Sequence, residues 1–139
     1  MTIGVDLETT NALKDAQDII QERGNTLILN SMEESDLNRD IYNSIQKKVV
    51  AEEYTFFAFP IVYSPNRFQL EKAGIKEKVN VIVTLATLDF TENEVSYKDI
   101  DNIRWEVILD EEVYLIEDKN KINHFNSTFL NIVFGLVKK

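Results

Sequence analysis

Between Asn11 and Arg23 the stretch NALKDAQDIIQER repeats apolar residues at helical spacing. Leu13, Ala16 and Ile20 form one stripe that Ile19 widens, and Lys14, Asp15, Asp18, Gln21 and Glu22 cover the other face. Thr9, Thr10 or Asn11 can cap its start, and Gly24 stands where a left-handed residue closes a helix, so a helix is predicted over about 10–23. The period then changes. NTLILN is a short β-type run that halts at the polar stretch SMEESDLNRD. QKKVVAEEYTFFAFPIVYS, from Gln46 to Ser64, is rich in β-branched and aromatic residues, with Tyr54, Phe56 and Ala58 on one face and Phe57 and Phe59 on the other. Pro60 cannot donate to a ladder, so this strand must be an edge, bulged or broken there. SPNRFQLEKAG reads as one short helix with Phe68 and Leu70 apolar and Gly74 as its stop.

The rest reads as β. KVNVIVTLATLDF places Val79, Val81, Val83 and Leu85 on one face and Ile82, Ala86 and Leu88 on the other. A strand apolar on both faces is central in its sheet or curls into a barrel. SYKDIDNI is a polar turn or a single helical turn. RWEVILD alternates, with Trp105, Val107 and Leu109 inward and Arg104 and Glu106 outward. A turn around Asp110–Glu112 leads into VYLIED. The polar loop KNKINHFNS and a final strand, TFLNIVFGLVKK, complete the pattern. Together these elements predict one domain over 1–139 of the α+β class, mainly β. It is a small antiparallel β-barrel or sandwich of about six strands with an N-terminal helix and one short inserted helix. The β-rich body covers 26–138, and a long polar connection covers about 31–48.

Composition narrows the function classes. Apolar residues at 44 % and charged residues at 28 % fit an ordinary globular domain. Twenty-four acidic against fifteen basic side chains give a net charge of −9, which repels a polyanion and argues against grip on phosphates. The absence of cysteine excludes disulfides, thiolate zinc sites and cysteine nucleophiles. MTIGVDLETT has neither the basic nor the apolar region of a signal peptide, and no apolar run approaches the ~20 residues of a membrane span. His124, the only histidine, would have to serve any Ser-His-Asp triad, with Ser127 or a distant serine; no G-x-S-x-G elbow accompanies it. The acidic runs MEESD and LDEEVYLIED lack the spaced pattern of a calcium loop and read as solvated turns. Four scattered glycines open no phosphate-binding fingerprint, and Glu52 and Glu53 beside the aromatics Tyr54, Phe56, Phe57 and Phe59 favour core filling over base stacking. No cofactor, no metal and no catalytic residue is predicted.

Three patterns, in order, resemble the small head-closure proteins (stoppers, or head–tail connectors) of tailed bacteriophages. IIQERGNTLILNS is similar to that family's opening helix, glycine and T-L strand. EEYTFFAFPIVYSPNRFQLEKAGIKEKVNVIVTL is similar to its T-Y-x-F-x-A strand, short polar helix and long apolar strand. DIDNIRWEVILDEEVYLIED is similar to its paired strands, with Asp101, Ile103, Tyr114 and Ile116 at the D-x-I and Y-x-I positions. The resemblance spans roughly Ala12 to Lys138. Where the family often has Asp-Gly in the hairpin turn, this chain has Asp110-Glu111-Glu112, and without glycine a tight type I′ turn is disfavoured.

The resemblance implies a non-enzymatic virion protein, in whose hairpin Trp105, Val107, Leu109, Val113 and Leu115 help close a barrel core. It would form a ring of copies below the portal, seal the channel once DNA is packaged and dock the tail, assembling in the host cytoplasm and ending in the neck of the particle. Its partners would be other copies of itself, the portal or adaptor protein and tail proteins, with only passive contact to DNA and none to membrane. Arg67, Lys72, Lys76 and Lys78 are the candidate contacts to an acidic partner ring. A tail-completion or tail-terminator protein of the same virion is the alternative, followed by a small acidic cytoplasmic binding or inhibitor module. The long connection is the candidate gating loop, with Asp36, Ile41, Tyr42, Ile45, Lys47 and Lys48 as its residues; a plain hairpin protruding into solvent is the competing reading. Deleting Asp36–Ser44 separates the two: a gate predicts that capsids lose packaged DNA, whereas capsids that stay full exclude gating.

Overall fold

The computed structural model describes residues 7–34 and 48–139. A helix, α1 (Leu7–Arg23), precedes β1 (Asn25–Glu34) and β2 (Lys48–Tyr63). A second helix, α2 (Arg67–Ala73), leads to β3 (Val81–Ala86), a third, α3 (Thr87–Glu92), and a 3-10 turn at Tyr97–Asp99. The remainder is β4 (Trp105–Leu109), β5 (Glu112–Phe125) and β6 (Thr128–Lys138). The strands pair antiparallel throughout and close into a barrel in the order β1-β2-β3-β6-β5-β4, with β4 returning to β1 through Ile28↔Ile108 and Leu29↔Val107. The expected mainly β, six-stranded antiparallel fold is therefore a barrel and not a sandwich.

Alternation explains the interior. Leu27 and Leu29, Phe56 and Ala58, Val83 and Leu85, Val107 and Leu109, and Phe134 and Leu136 all point inward and are buried. All six residues of β3 are buried, because its second face is covered as well. There Ile82 and its neighbour Val133 lie under Ile75 and Val79, which follow α2. Gly135 permits this close approach: a Cβ there would come within 2.9 Å of Val79. At Pro60 the strand is bulged, not an edge. Pairing passes from Ala58↔Leu85 to Ile61↔Val83, three steps along β2 against two along β3, and the Phe59–Pro60 bond is cis.

The helices have local causes. At the start of α2 Asn66 Oδ1 accepts from the Gln69 N–H at 2.9 Å, while Gln69 Oε1 accepts from the Asn66 N–H at 2.9 Å. Gly74 ends the helix at φ 71°, a left-handed position suited to glycine. In α1 the buried stripe holds Thr9, Gln17 and Ile20, whereas Ile19 is 51 % exposed, so it does not widen the core face. The helix also begins at Leu7, ahead of the expected start.

Four further expectations need correction. β1 runs on to Glu34 and β2 starts at Lys48, so the first residues of the supposed polar connection extend a ribbon in which Glu33 pairs with Val49. TLDF is not strand: α3 turns Phe90 into the barrel, where packing outweighs the short run's alternating pattern. KNKINHF continues β5 instead of looping, since a two-stranded ribbon tolerates polar side chains on both faces. Finally, Tyr114 and Ile116, not Val113 and Leu115, face the core of the barrel. A two-residue turn pairs Leu109 with Glu112, which puts Tyr114 and Ile116 on Leu109's face.

That turn is left-handed at both positions, with Asp110 at φ 51° and Glu111 at φ 65°. The chain thus adopts the glycine-favouring geometry without glycine. Each such residue costs roughly 1 kcal/mol. Glu111→Gly creates the preferred Asp-Gly pair and is expected to stabilise the protein by about 0.5–1 kcal/mol after the entropy added to the unfolded chain. A urea midpoint that rises at constant m value confirms it; an unchanged or lower midpoint refutes it.

Candidate functional site

Two of the buried polar side chains, Gln17 and Asp89, meet where α1 and α3 cover one end of the barrel. Gln17 stands on the inner stripe of α1 between Leu13 and Ile20. Its Nε2 donates to Asp89 Oδ1 at 2.7 Å and to Glu92 Oε2 at 3.0 Å, tying α1 to α3. Asp89 is 3 % exposed, and Asp89 Oδ2 has no partner among the described residues. Burial pushes its carboxyl above the ordinary range, although bonds from Gln17 and from the Phe57 N–H pull it part of the way back. Periodicity had placed no polar residue inside; a glutamine three residues before Ile20 was the available signal.

A second arrangement holds the segment between α3 and β4. After a bulge at Ile116/Asp118, Lys119 of β5 pairs with the inward-facing Phe134. Its Nζ donates to the carbonyls of Tyr97 and Ile100 at 2.6 Å each and to Lys98 O at 3.3 Å. Burial pushes this ammonium below its usual range, while the nearby Tyr97, Asp101 and Asp99 favour the charge. The Lys121 ammonium lies 5.5 Å from the centre of the Tyr97 ring and 4.8 Å from that of Phe129. Asp101 organises the same segment. Partial burial alone would raise its carboxyl, but the N–H groups of Arg104 and Ile103, with the Arg104 guanidinium, outweigh it and hold the carboxyl below its ordinary value. These bonds fix a loop that borders a small open groove lined by Lys98, Ile100, Asp101 and Lys119.

At the opposite end of β3 the Tyr63 hydroxyl donates to Asp110 Oδ2, and that carboxylate, aided by burial, pushes the phenol up to about 12. Lys138 pairs with Glu112 at 3.0 Å beside it. His124 lies near the tip of the β5–β6 ribbon, exposed and edge-on to Phe129 at 5.7 Å between ring centres. Among the described residues no group of three or more His, Asp or Glu side chains is placed to hold a metal ion. No described helix is long and apolar enough to cross a membrane.

The basic residues singled out in the sequence do share one region. Arg67, Lys76 and Lys78 line an open groove with Pro65, Leu70 and Ile75, and Lys72 lines the next one with Gln69, Ile82 and Ile122. All four are exposed, and Phe68 stands among them at 71 % exposure. Arg67 pairs with Glu71 at 3.2 Å. Of the candidate gating residues, Asp36, Ile41, Tyr42, Ile45 and Lys47 lie outside the described residues; Lys48 opens β2, its backbone opposite Glu34. Phe68 and Ile19 are two of the large apolar residues exposed at the surface, the first an ordinary helix position in the sequence pattern and the second expected in the core; Leu7 and Ile103 are exposed as well.

No family model matches the chain, and no curated protein or solved structure matches it either.

Asp89 gives a pH test. A carboxyl whose folded value lies above the ordinary 3.8 contributes stability that is fully present in acid and is lost as pH rises through the folded value. Asp101 has the opposite sign, so the comparison must be a difference in which it cancels. Asp89→Asn relative to wild type is expected to gain in unfolding free energy as pH rises from about 4 to 7. Denaturant titrations at several pH values read that difference; a difference independent of pH overturns the account.

Proposed function

We propose that this chain is a non-catalytic assembly component, a head-closure or head–tail connector protein of a tailed phage. It forms a ring with copies of itself between the portal or adaptor and the tail. The observation that carries the reading is a contrast between inside and outside. Phe56, Phe134 and the surrounding leucines fill the barrel, while Leu7, Ile19 and Phe68 stand 74 %, 51 % and 71 % exposed on its helices. Large apolar side chains left at the surface of a stiff, closed sheet suit protein contacts. The net charge of −9 suits a channel wall that must let DNA slide without adhering. The resemblance of three ordered sequence patterns to head-closure proteins supplies the particular setting.

The internal polar bonds fit the same reading. Gln17 and Asp89 join α1 to α3, Lys119 of β5 holds the Tyr97–Ile100 segment, and Asp101 fixes the turn before β4, which gives rigidity.

The test is to remove the chain from a producing phage and to locate it in wild-type particles by labelled electron microscopy. The expected outcome is full heads that leak DNA and carry no tail when it is missing, with label at the neck when it is present. Headless tails of irregular length would overturn head closure in favour of the terminator. A chain that never enters particles would overturn the assembly role altogether.

A further inference from the structure

Two patches of opposite charge occupy different parts of the surface, and each holds an exposed apolar side chain. On α1, Asp15, Ile19 and Glu22 follow one another at spacings of four and three, so the acids flank Ile19 on one helix face with Asp18 beside it. Glu8, Glu92 and Glu94 are also exposed on α1 and around α3; Lys14 and Arg23 are the basic exceptions on α1. On α2 and the segment after it, Phe68 is accompanied by Lys72 one turn on and by Arg67, Lys76 and Lys78. Glu71, held by Arg67, and Glu77 are the acids of this segment, and Asp118 of β5 accepts from the Lys76 N–H at 2.9 Å beside it. The patches do not coincide: the segment after α2 leads into β3 at Val81, and α3 takes over from Ala86. Six residues of strand, about 20 Å, separate the two.

We propose that these patches bind one another between copies: the basic α2 shoulder of one molecule seats on the acidic α1 face of the next, with Phe68 and Ile19 as apolar anchors. The contact rests on the ring-forming reading and names its interface. Exposed ion pairs are weak individually, so they set orientation and partner choice while the apolar anchors hold the contact. A two-fold dimer requires a patch that matches itself. Two different complementary patches join copies head to tail, and the result closes into a ring if the rotation allows.

A chain without cysteine makes a clean test. In the full-length protein, Ile19→Cys together with Phe68→Cys is expected to give a ladder of disulfide-linked multimers under mild oxidation. Each single variant should stop at dimers. Raising salt from 50 to 500 mM should weaken the ladder about tenfold, because the steering charges are screened. In sedimentation velocity, Lys72→Glu with Lys76→Glu should reduce self-association, as should Asp15→Lys with Glu22→Lys, while mixing the two reversed proteins restores it. The proposal is overturned by a chain that stays monomeric at millimolar concentration, or by a bond formed only within one molecule. It is equally overturned by a ladder no stronger than that of a Val50→Cys, Phe68→Cys control, or by reversed proteins that fail to rescue each other. A chain found at the particle neck without the Ile19–Phe68 cross-link sinks this contact and leaves the assembly reading standing; head-to-tail cross-linking by a chain absent from particles does the reverse.

Discussion

Phe90 enters the barrel from α3 and meets Phe56 edge-on at 4.6 Å and Phe134 at 5.9 Å between ring centres. A closed sheet has no edges to protect, but it has ends, and an unfilled end would admit water to the leucines and valines inside. Turning the chain into a short helix directly after β3 plugs one end. It also creates the platform on which α1 lies, so the position of the N-terminal helix follows from the packing of that ring.

The same device explains where polar groups are buried. Once α3 is committed to the interior, Asp89 beside Phe90 is buried with it, and a buried carboxyl must be met by donors. Gln17 and the Phe57 N–H supply them from α1 and β2, so an otherwise costly group becomes a link among three elements. Lys119 has a similar role for the segment that precedes β4. β4 has only five residues and pairs with β5 only from Glu112 to Tyr114, so β5 continues beyond its reach. The segment around Tyr97–Ile100 fills that gap, held by the lysine ammonium on its carbonyls.

The surface adds a second kind of asymmetry. Its charge is uneven: acids dominate the α1–α3 end, whereas the α2 shoulder is locally basic within a chain of net charge −9. Both regions keep a large apolar residue in solvent. A stiff body with distinct, oppositely charged faces is what the proposed assembly role requires, and it gives that role physical content beyond sequence resemblance.

The sequence by itself determined the helix after the first residues, the capped α2, most strand positions, and the inward faces of Phe56, Ala58, Val107 and Leu109. These follow from period and cap chemistry, which act over a few residues. It also located the basic shoulder at Arg67–Lys78. Only the tertiary structure decided that Ile19 faces out and Gln17 in, that LDF turns into a helix, and that KNKINHF stays in the sheet. It decided likewise that Tyr114 replaces Val113 in the core. In each case the local pattern allowed two outcomes, and contacts distant in the chain selected one: Asp89 for Gln17, Phe56 and Phe134 for Phe90, and β6 for the polar half of β5. The face of β5 was fixed by a two-residue turn that no glycine announced, because pairing of the flanking strands outweighed the strain at Asp110 and Glu111.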